Sequence, residues 1–355
     1  MTTVDHRTTV PGAPVRKPPV LEATKVTKHF RVRNGTGRSS VVQAVEGVDL
    51  ALLPGRIVAL VGESGSGKTT LARLLARFYP VTDGNIRLRG LSVSGRPDRE
   101  YFRSVQLIFQ DPFGSLHPSH KIAYNLERPL RIHGHAKGRA DARRQAVELL
   151  ERVGLTPAED YLDKLPYELS GGQRQRVVIA RALAVRPAVL LGDEPISMLD
   201  VSIRLDMLNL LAKLRDEEGL ALLYITHDIA SARYLSDDVA VMYAGQMIES
   251  GPKDALIQRP MHPYTRLLVD ASPDPGRTDR SLQSDADLDD LDDDDVPDEP
   301  PSLVDPPSGC RFHPRCPFAM DECRQSLPEQ TQLGDGHWVR CWLHQKGRAE
   351  EIFAD

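Results

Sequence analysis

The octapeptide Gly62-Glu-Ser-Gly-Ser-Gly67-Lys68-Thr69 fits G-x-x-x-x-G-K-[ST], a spacing suited to holding a chain of phosphates. Gly62, Gly65 and Gly67, with Ser64 and Ser66 between them, let backbone N–H groups converge on anionic oxygens. Lys68 is placed to reach the outer phosphates, and Thr69, followed by Thr70, offers a hydroxyl to Mg²⁺. A second signal is Asp193-Glu194, which follows the apolar run Ala188–Leu191 and Gly192. Carboxylates at the C-terminal end of a strand lie where open α/β sheets bind ligands. Asp193 is the candidate to hold Mg²⁺, directly or through water. Glu194 is the candidate general base, a role worth about 10²–10⁴ in rate.

A third signal narrows the class. Leu169-Ser170-Gly171-Gly172-Gln173 precedes an expected helix, so a hydroxyl and unobstructed backbone donors gather at a helix N-terminus that suits a γ-phosphate. This pentapeptide closely resembles the signature of the ABC ATPases, and the resemblance covers about Leu21 to Ser272. The other family motifs stand in family order: Gln110 for the Q-loop, Asp193-Glu194 for Walker B, Ser197–Asp200 for the D-loop and His227 for the H-loop. Ile196 and Met198 replace the commoner Thr and Ala of the D-loop region, and neither is a catalytic group.

The resemblance implies that Gln110 reaches Mg²⁺ and the attacking water, and that His227 bonds the γ-phosphate and holds Glu194. Phe30, expected after a first strand, would stack on adenine. Ser170, Gly171, Gly172, Gln173 and Asp200 would face the ATP of a partner cassette, so two cassettes would clamp two nucleotides.

Gln110–Pro118, His262-Pro-Tyr-Thr265 and a Cys-rich tail together resemble the ATPase subunits of dipeptide/oligopeptide importers. The spacer Arg33–Ser40 resembles the second ATPase of such a pair. That family implies a second ATPase, a paralogue or an identical copy, with two transmembrane permease subunits and an extracytoplasmic substrate-binding protein. The chain would sit peripherally on the cytoplasmic face of the membrane, its helical region receiving a coupling helix near Gln110. Nickel chelates, glutathione and sugars are alternative cargoes. A soluble ABC ATPase acting on nucleic acid or the ribosome is the alternative class. The chain lacks the paired cassettes, long coiled-coil insertion or basic arm of such proteins, so no nucleic-acid partner is expected. The spacing Cys310-x5-Cys316-x6-Cys323-x17-Cys341 resembles the importer tail that holds a 4Fe-4S cluster. Zn²⁺ suits the same thiolates, with His313, His337 and His344 as possible substitutes, and ligand-free thiols remain a third reading.

The elements that must position these residues are legible in the hydropathy pattern. With 355 residues, 40% hydrophobic and 27% charged, the chain has ordinary globular composition, which excludes wholesale disorder or a collagen-like fibre. The apolar runs Ile57–Val61 and Leu220–Ile225 fall well short of the ~18 residues that a membrane-spanning helix requires. Alternating apolar runs and helix-period segments predict an α/β P-loop ABC ATPase core, a mixed sheet with helices, carrying an inserted helical subdomain and a small C-terminal Cys-rich module. Strands are expected at Arg56–Val61, Val105–Phe109, Ala188–Leu191, Ala221–Ile225, Val239–Tyr243 and Met247–Ser250. Helices are expected at Thr69–Phe78, Arg139–Val153, Gln173–Ala184 and Val201–Glu218.

The expected division is a loose Pro-rich arm over residues 1–20, without a secretory signal, and an ATPase domain over 21–271 whose helical part spans about 111–168. A linker over 272–307 and the Cys-rich module over 308–355 would follow. Within the linker, Asp285–Glu299 holds ten acidic and no basic residues against a net charge of −5 for the chain, leaving the remainder at +5. This run reads as a self-repelling spacer.

Overall fold

The computed structural model describes residues 18–33, 39–112, 114–271 and 299–353. The N-terminal arm up to residue 17, most of the Arg33–Ser40 spacer, Phe113 and the linker over 272–298 lie outside the described residues.

Twelve strands, among the described residues, form two sheets. They are β1 (Leu21–Arg33), β2 (Ser39–Leu52), β3 (Ile57–Val61), β4 (Asp83–Leu88), β5 (Leu91–Ser92), β6 (Val105–Ile108), β7 (Val189–Asp193), β8 (Ala221–Ile225), β9 (Asp238–Tyr243), β10 (Gln246–Pro252), β11 (Thr331–Gly334) and β12 (His337–Val339). The larger sheet has the order β11-β12-β10-β9-β3-β8-β7-β6, and the smaller the order β2-β1-β4-β5. From β9 through β3, β8 and β7 to β6 every pairing is parallel, whereas β10 and the β11–β12 pair add antiparallel strands. β3, β7 and β8 are buried at all five positions each, the mark of parallel strands covered on both faces.

Alternation along β3 divides the core. Ile57, Ala59 and Val61 join one apolar cluster, and Val58 and Leu60 join the other. The second cluster contains α1 (Lys68–Leu75), through Leu71, Leu74 and Leu75, and the inner residues of the antiparallel sheet. The first contains the helical region. After α2 (Arg99–Ser104) come α3 (Ile122–Ile132), α4 (Arg139–Arg152), α5 (Glu159–Leu162), α6 (Gly171–Leu183) and α7 (Val201–Glu218). The remaining helices of the core are α8 (Ile229–Leu235), α9 (Lys253–Gln258) and α10 (Pro263–Asp270). None of the described helices is long and apolar enough to cross a membrane.

Besides shifts of one or two residues at the ends of several elements, the structure departs from the sequence expectations at four points. The helix after the glycine-rich loop stops at Leu75 rather than Phe78, and Arg77 turns to φ 60°. Phe30 lies within β1 rather than after it, since β1 continues to Arg33 through irregular pairing with β2. Part of the expected linker is docked: Gln43 N donates to Leu303 O at 2.8 Å, and Val42 bridges Val304. The residues beyond 308 do not stand apart either. β12 pairs with β10, Glu249 opposite Val339, and Phe312 is 2% exposed within the main core.

One buried carboxylate organises that junction. Glu249, fully buried, accepts from His337 Nε2 at 2.8 Å and from the backbone N–H groups of Met261 and His262 at 2.9 Å each. A buried carboxylate is tolerated only when its oxygens are satisfied in this way. Phe312 then packs against Tyr243, Tyr264 and His262, with ring centroids 5.2, 5.4 and 5.8 Å away. Phe312→Ala is expected to lower the main cooperative transition in urea by about 3–5 kcal/mol. Loss confined to a separate minor transition would mean that the tail folds independently.

Candidate functional site

β3 ends where the glycine-rich loop begins, and two glycines make the turn possible. Gly62 sits at φ 152°, and a Cβ there would lie 2.1 Å from Met242 O. Gly67 sits at φ 101°, with a Cβ position 2.3 Å from Ala44 O. Side chains at either position would collide with backbone, so the loop is a cradle that only glycine leaves open. Ser64 and Gly65 form its exposed tip, whereas Ser66 is buried and Thr70 half-buried.

Lys68 opens α1 and is only 6% exposed. Its Nζ donates to Gly62 O and Glu63 O at 2.7 Å each and to Ser66 Oγ at 3.3 Å. Burial lowers its pKa, opposed by the charges of Glu194, Asp193 and Glu63. Thr69 Oγ1 donates to Asp193 Oδ1 at 2.9 Å. Asp193, the last residue of β7, is 4% exposed, and burial raises its pKa against the Thr69 hydrogen bond. A hydroxyl and a carboxylate oxygen thus meet beside a buried ammonium, a donor set of the hard-oxygen kind that suits Mg²⁺.

The neighbouring strand ends supply the reactive groups. Glu194 turns to φ 48°, a left-handed conformation uncommon outside glycine, while its N–H donates to Ile225 O at 3.1 Å. Gln110 Nε2, just beyond β6, donates to Glu194 Oε2 at 2.8 Å. His227 Nδ1 lies 3.2 Å from Glu194 Oε1, at the corner between β8 and α8. That corner is held by Asp228, whose carboxylate accepts from Ala230 N and Ser231 N as the helix cap. Residues 110, 194 and 227 are thereby brought together from three strands, with the Thr69–Asp193 pair beside them.

The signature residues are built for another surface. Ser170 caps α6 reciprocally: its hydroxyl accepts from Gln173 N at 3.3 Å, and Gln173 Oε1 accepts from Ser170 N at 3.1 Å. Ser170 and Gly171 are exposed, and Gly172 is buried against Ile203, which a Cβ would approach to 2.9 Å. Asp200 is exposed at the start of α7 and makes no side-chain cap bond. No hydrogen bond among those described joins these residues to Gly62–Thr70, Glu194 or His227. Phe30 stands half-buried, edge-on to Tyr79 at 5.4 Å, with Lys28 Nζ 4.9 Å from its ring centre.

Cys310, Cys316, Cys323 and Cys341 are free thiols that line one closed cavity of about 10 Å³ together with His262, Phe312 and His313. Burial pushes Cys310 up to about 12 and Cys316 to about 11. Among the described residues, no three His, Cys, Asp or Glu side chains stand close enough to hold a metal ion. His262 Nδ1 accepts from Tyr264 N, so its buried Nε2 carries the hydrogen, and that atom has no partner.

Motif spacing does not disclose the role of Glu63, a free position of the glycine-rich pattern. Its backbone N–H donates to Tyr264 Oη, and its carboxylate accepts from Arg315. Neither partner carries a local sequence signal for this contact, because both lie about two hundred residues or more away.

Comparison with known proteins gives the family. The ABC transporter family profile matches residues 45–197, and that of the oligopeptide/dipeptide transporter C-terminal region matches residues 248–323. The chain is 39% identical to the "Probable peptide ABC transporter ATP-binding protein y4tS" of Sinorhizobium fredii, covering 94% of this chain and 92% of that one. It is 39% identical to the di/tripeptide transport ATP-binding protein DppF of Pseudomonas aeruginosa, over 91% of this chain and 97% of the relative. Among solved structures, the dimeric ATP-binding cassette MJ0796 in a post-hydrolysis state with ADP and Pi superposes with a TM-score of 0.58. That match is 29% identical and covers 66% of this chain and 98% of the cassette. The chain therefore belongs to the ATP-binding proteins of ABC transporters and is an ATPase whose hydrolysis is coupled to transport.

Proposed function

We propose that this ATPase powers import of peptides, and that Glu194, Gln110 and His227 form its hydrolytic centre. The observation that carries the assignment of the centre is the meeting of Gln110 and His227 on the two carboxylate oxygens of Glu194, next to the Thr69–Asp193 pair. The peptide cargo is supported by the matched C-terminal region and by relatives named for peptide transport.

In this reading the loop Gly62–Thr70 wraps the phosphates, Lys68 exchanges its carbonyl partners for phosphate oxygens, and Phe30 meets the adenine. Thr69, Asp193 and Gln110 would hold Mg²⁺, which supplies charge neutralisation at the β- and γ-phosphates. Glu194 accepts a proton from the attacking water, oriented by Gln110, while His227 keeps the carboxylate aimed and bonds the γ-phosphate. The turn at Glu194 helps: a left-handed backbone points the side chain away from β7 and toward the other strand ends. Ser170, Gly171, Gly172, Gln173 and Asp200 act on the nucleotide of a second cassette, consistent with the exposure of Ser170, Gly171 and Asp200 and with the dimeric state of the solved relative. That second cassette is a paralogue or another copy of this chain.

The partners follow from the same reading: two membrane permease subunits and a binding protein that delivers the peptide, with this chain held peripherally at the cytoplasmic face. A cavity of about 710 Å³ in the helical region, lined by His117, His120, Tyr124, Arg128 and Arg181 among others, is the proposed seat of the permease coupling helix. Its lining includes Gln106 and residues 114–118, which flank Gln110 in the chain.

The four cysteines are proposed to hold a 4Fe-4S cluster, with Zn²⁺ as the alternative. Their common cavity and the unpartnered Nε2–H of His262 beside it support a sulfur-rich ligand, while the present separation requires the thiols to draw inward. Nothing in the tail resembles an electron-transfer partner site, so the role proposed for it is structural or regulatory.

Glu194→Gln is expected to keep MgATP binding and lower phosphate release by about 10²–10⁴-fold; hydrolysis within threefold of wild type would remove Glu194 as the base. Ser170→Arg is expected to leave MgATP affinity unchanged in the isolated chain and to abolish hydrolysis when both cassettes of the assembly carry the change. Anaerobic purification should yield brown protein with iron and a visible absorption band. Colourless protein with stoichiometric zinc would select the alternative, and metal-free native protein would overturn both.

A further inference from the structure

Glu63 lies inside the phosphate loop, yet it is gripped from the far end of the chain. Arg315 Nη1 donates to both carboxylate oxygens of Glu63, at 3.1 and 2.9 Å, and to Tyr243 Oη at 3.3 Å. The guanidinium lies 5.9 Å from the ring centres of both Tyr243 and Phe312, and its side chain is only 12% exposed. Tyr264, fully buried, accepts from Glu63 N at 2.8 Å. Both the side chain and the backbone of one loop residue are therefore fixed by groups outside the loop.

The same tail segment braces the loop from behind. Arg311, 4% exposed, donates to Ala244 O and to Gln43 O. The adjacent Gly245 N donates to Ser66 O at 2.8 Å. Arg311, Phe312 and Arg315 all stand between Cys310 and Cys316, so one short segment reaches the cradle directly at Glu63 and indirectly, through the Ala244–Gly245 turn, at Ser66. Lys68 is coupled to this grip because its Nζ bonds Glu63 O, the carbonyl of the residue that Arg315 and Tyr264 hold.

We propose that Arg315 and Tyr264 are positioning residues of the ATP site: through Glu63 they fix the phosphate loop in the shape that presents its N–H groups and Lys68 to the nucleotide. The inference rests on the reading of Gly62–Thr70 as an ATP cradle, and it makes the tail segment part of the binding machinery. A charged pair whose side chains are 12% and 24% exposed restricts the loop more than a fully solvated one, so releasing it costs the nucleotide the ordering of the loop.

The test measures the dissociation constant for MgATP in the full chain by titration calorimetry, alongside the thermal midpoint. Arg315→Met, which keeps bulk and removes the charge, and Glu63→Gln should each weaken binding about tenfold. The double variant should also be weakened about tenfold rather than about a hundredfold, since both changes open the same link. Arg315→Lys should recover part of the loss. In the assembled transporter the KM for ATP should rise while kcat at saturating ATP stays within about twofold, a split that simple loss of folded protein does not produce. Unchanged affinity in both single variants, or additive losses in the double, would overturn the proposal. If Arg315→Met does not fold, Tyr264→Phe carries the test by removing only the acceptor for Glu63 N–H: a loss of about threefold supports the proposal, and none overturns it. A wild-type chain that does not bind MgATP would instead refute the cradle reading itself.

Discussion

The site depends on charges buried without full compensation. Lys68 is 6% exposed, and its ammonium is held by two carbonyls and a hydroxyl rather than by a carboxylate contact. Asp193 is 4% exposed and has a threonine hydroxyl as its hydrogen-bond partner. Dipoles satisfy these groups geometrically but offset only part of the cost of taking a full charge out of water. A triphosphate with its cation brings opposite charge to both, so the site gains more from that ligand than from water.

The sheet is what makes such an arrangement possible. Parallel strands β3, β7 and β8 end at one edge, and each hands over directly to a functional turn: the cradle, the Asp193-Glu194 pair and His227. Their apolar runs are buried on both faces, so the strand ends cannot shift without disturbing both core clusters. Glu194 and the cradle glycines occupy backbone regions that most side chains avoid, and the rigid strands behind them stabilise those turns. The signature surface, by contrast, is ordered by its own capping box and stays exposed, which leaves it free to meet a second molecule.

The C-terminal segment contributes more than its length suggests. β12 extends the main sheet, Glu249 draws together three segments, and Phe312 fills a gap among Tyr243, Tyr264 and His262. Continuous burial of this kind explains why the tail is not a separable module, and why a change at the thiol cavity is mechanically near the phosphate loop.

Much of the architecture follows from local signals. The helix Val201–Glu218 and the strand Ala221–Ile225 are legible to the residue because periodicity and an ending glycine act within a few positions. The glycine-rich loop, Asp193-Glu194 and Ser170–Gln173 are legible for the same reason, since each motif performs its chemistry within one turn. Placing Phe30 beyond its strand failed because the edge pairing that prolongs β1 comes from β2, whose register no local pattern specifies. The docking of the tail on the core was not legible because β12, Phe312 and Arg315 have no apolar periodicity of their own. The sequence alone therefore determined which residues are the candidates to bind and cleave a phosphoanhydride. Only the tertiary structure decided that Gln110 bonds the same carboxylate that His227 was expected to hold, and that Arg315 and Tyr264 hold Glu63. Such contacts, 33 to 252 residues apart in the chain, are selected by packing, and packing is a property of the whole fold.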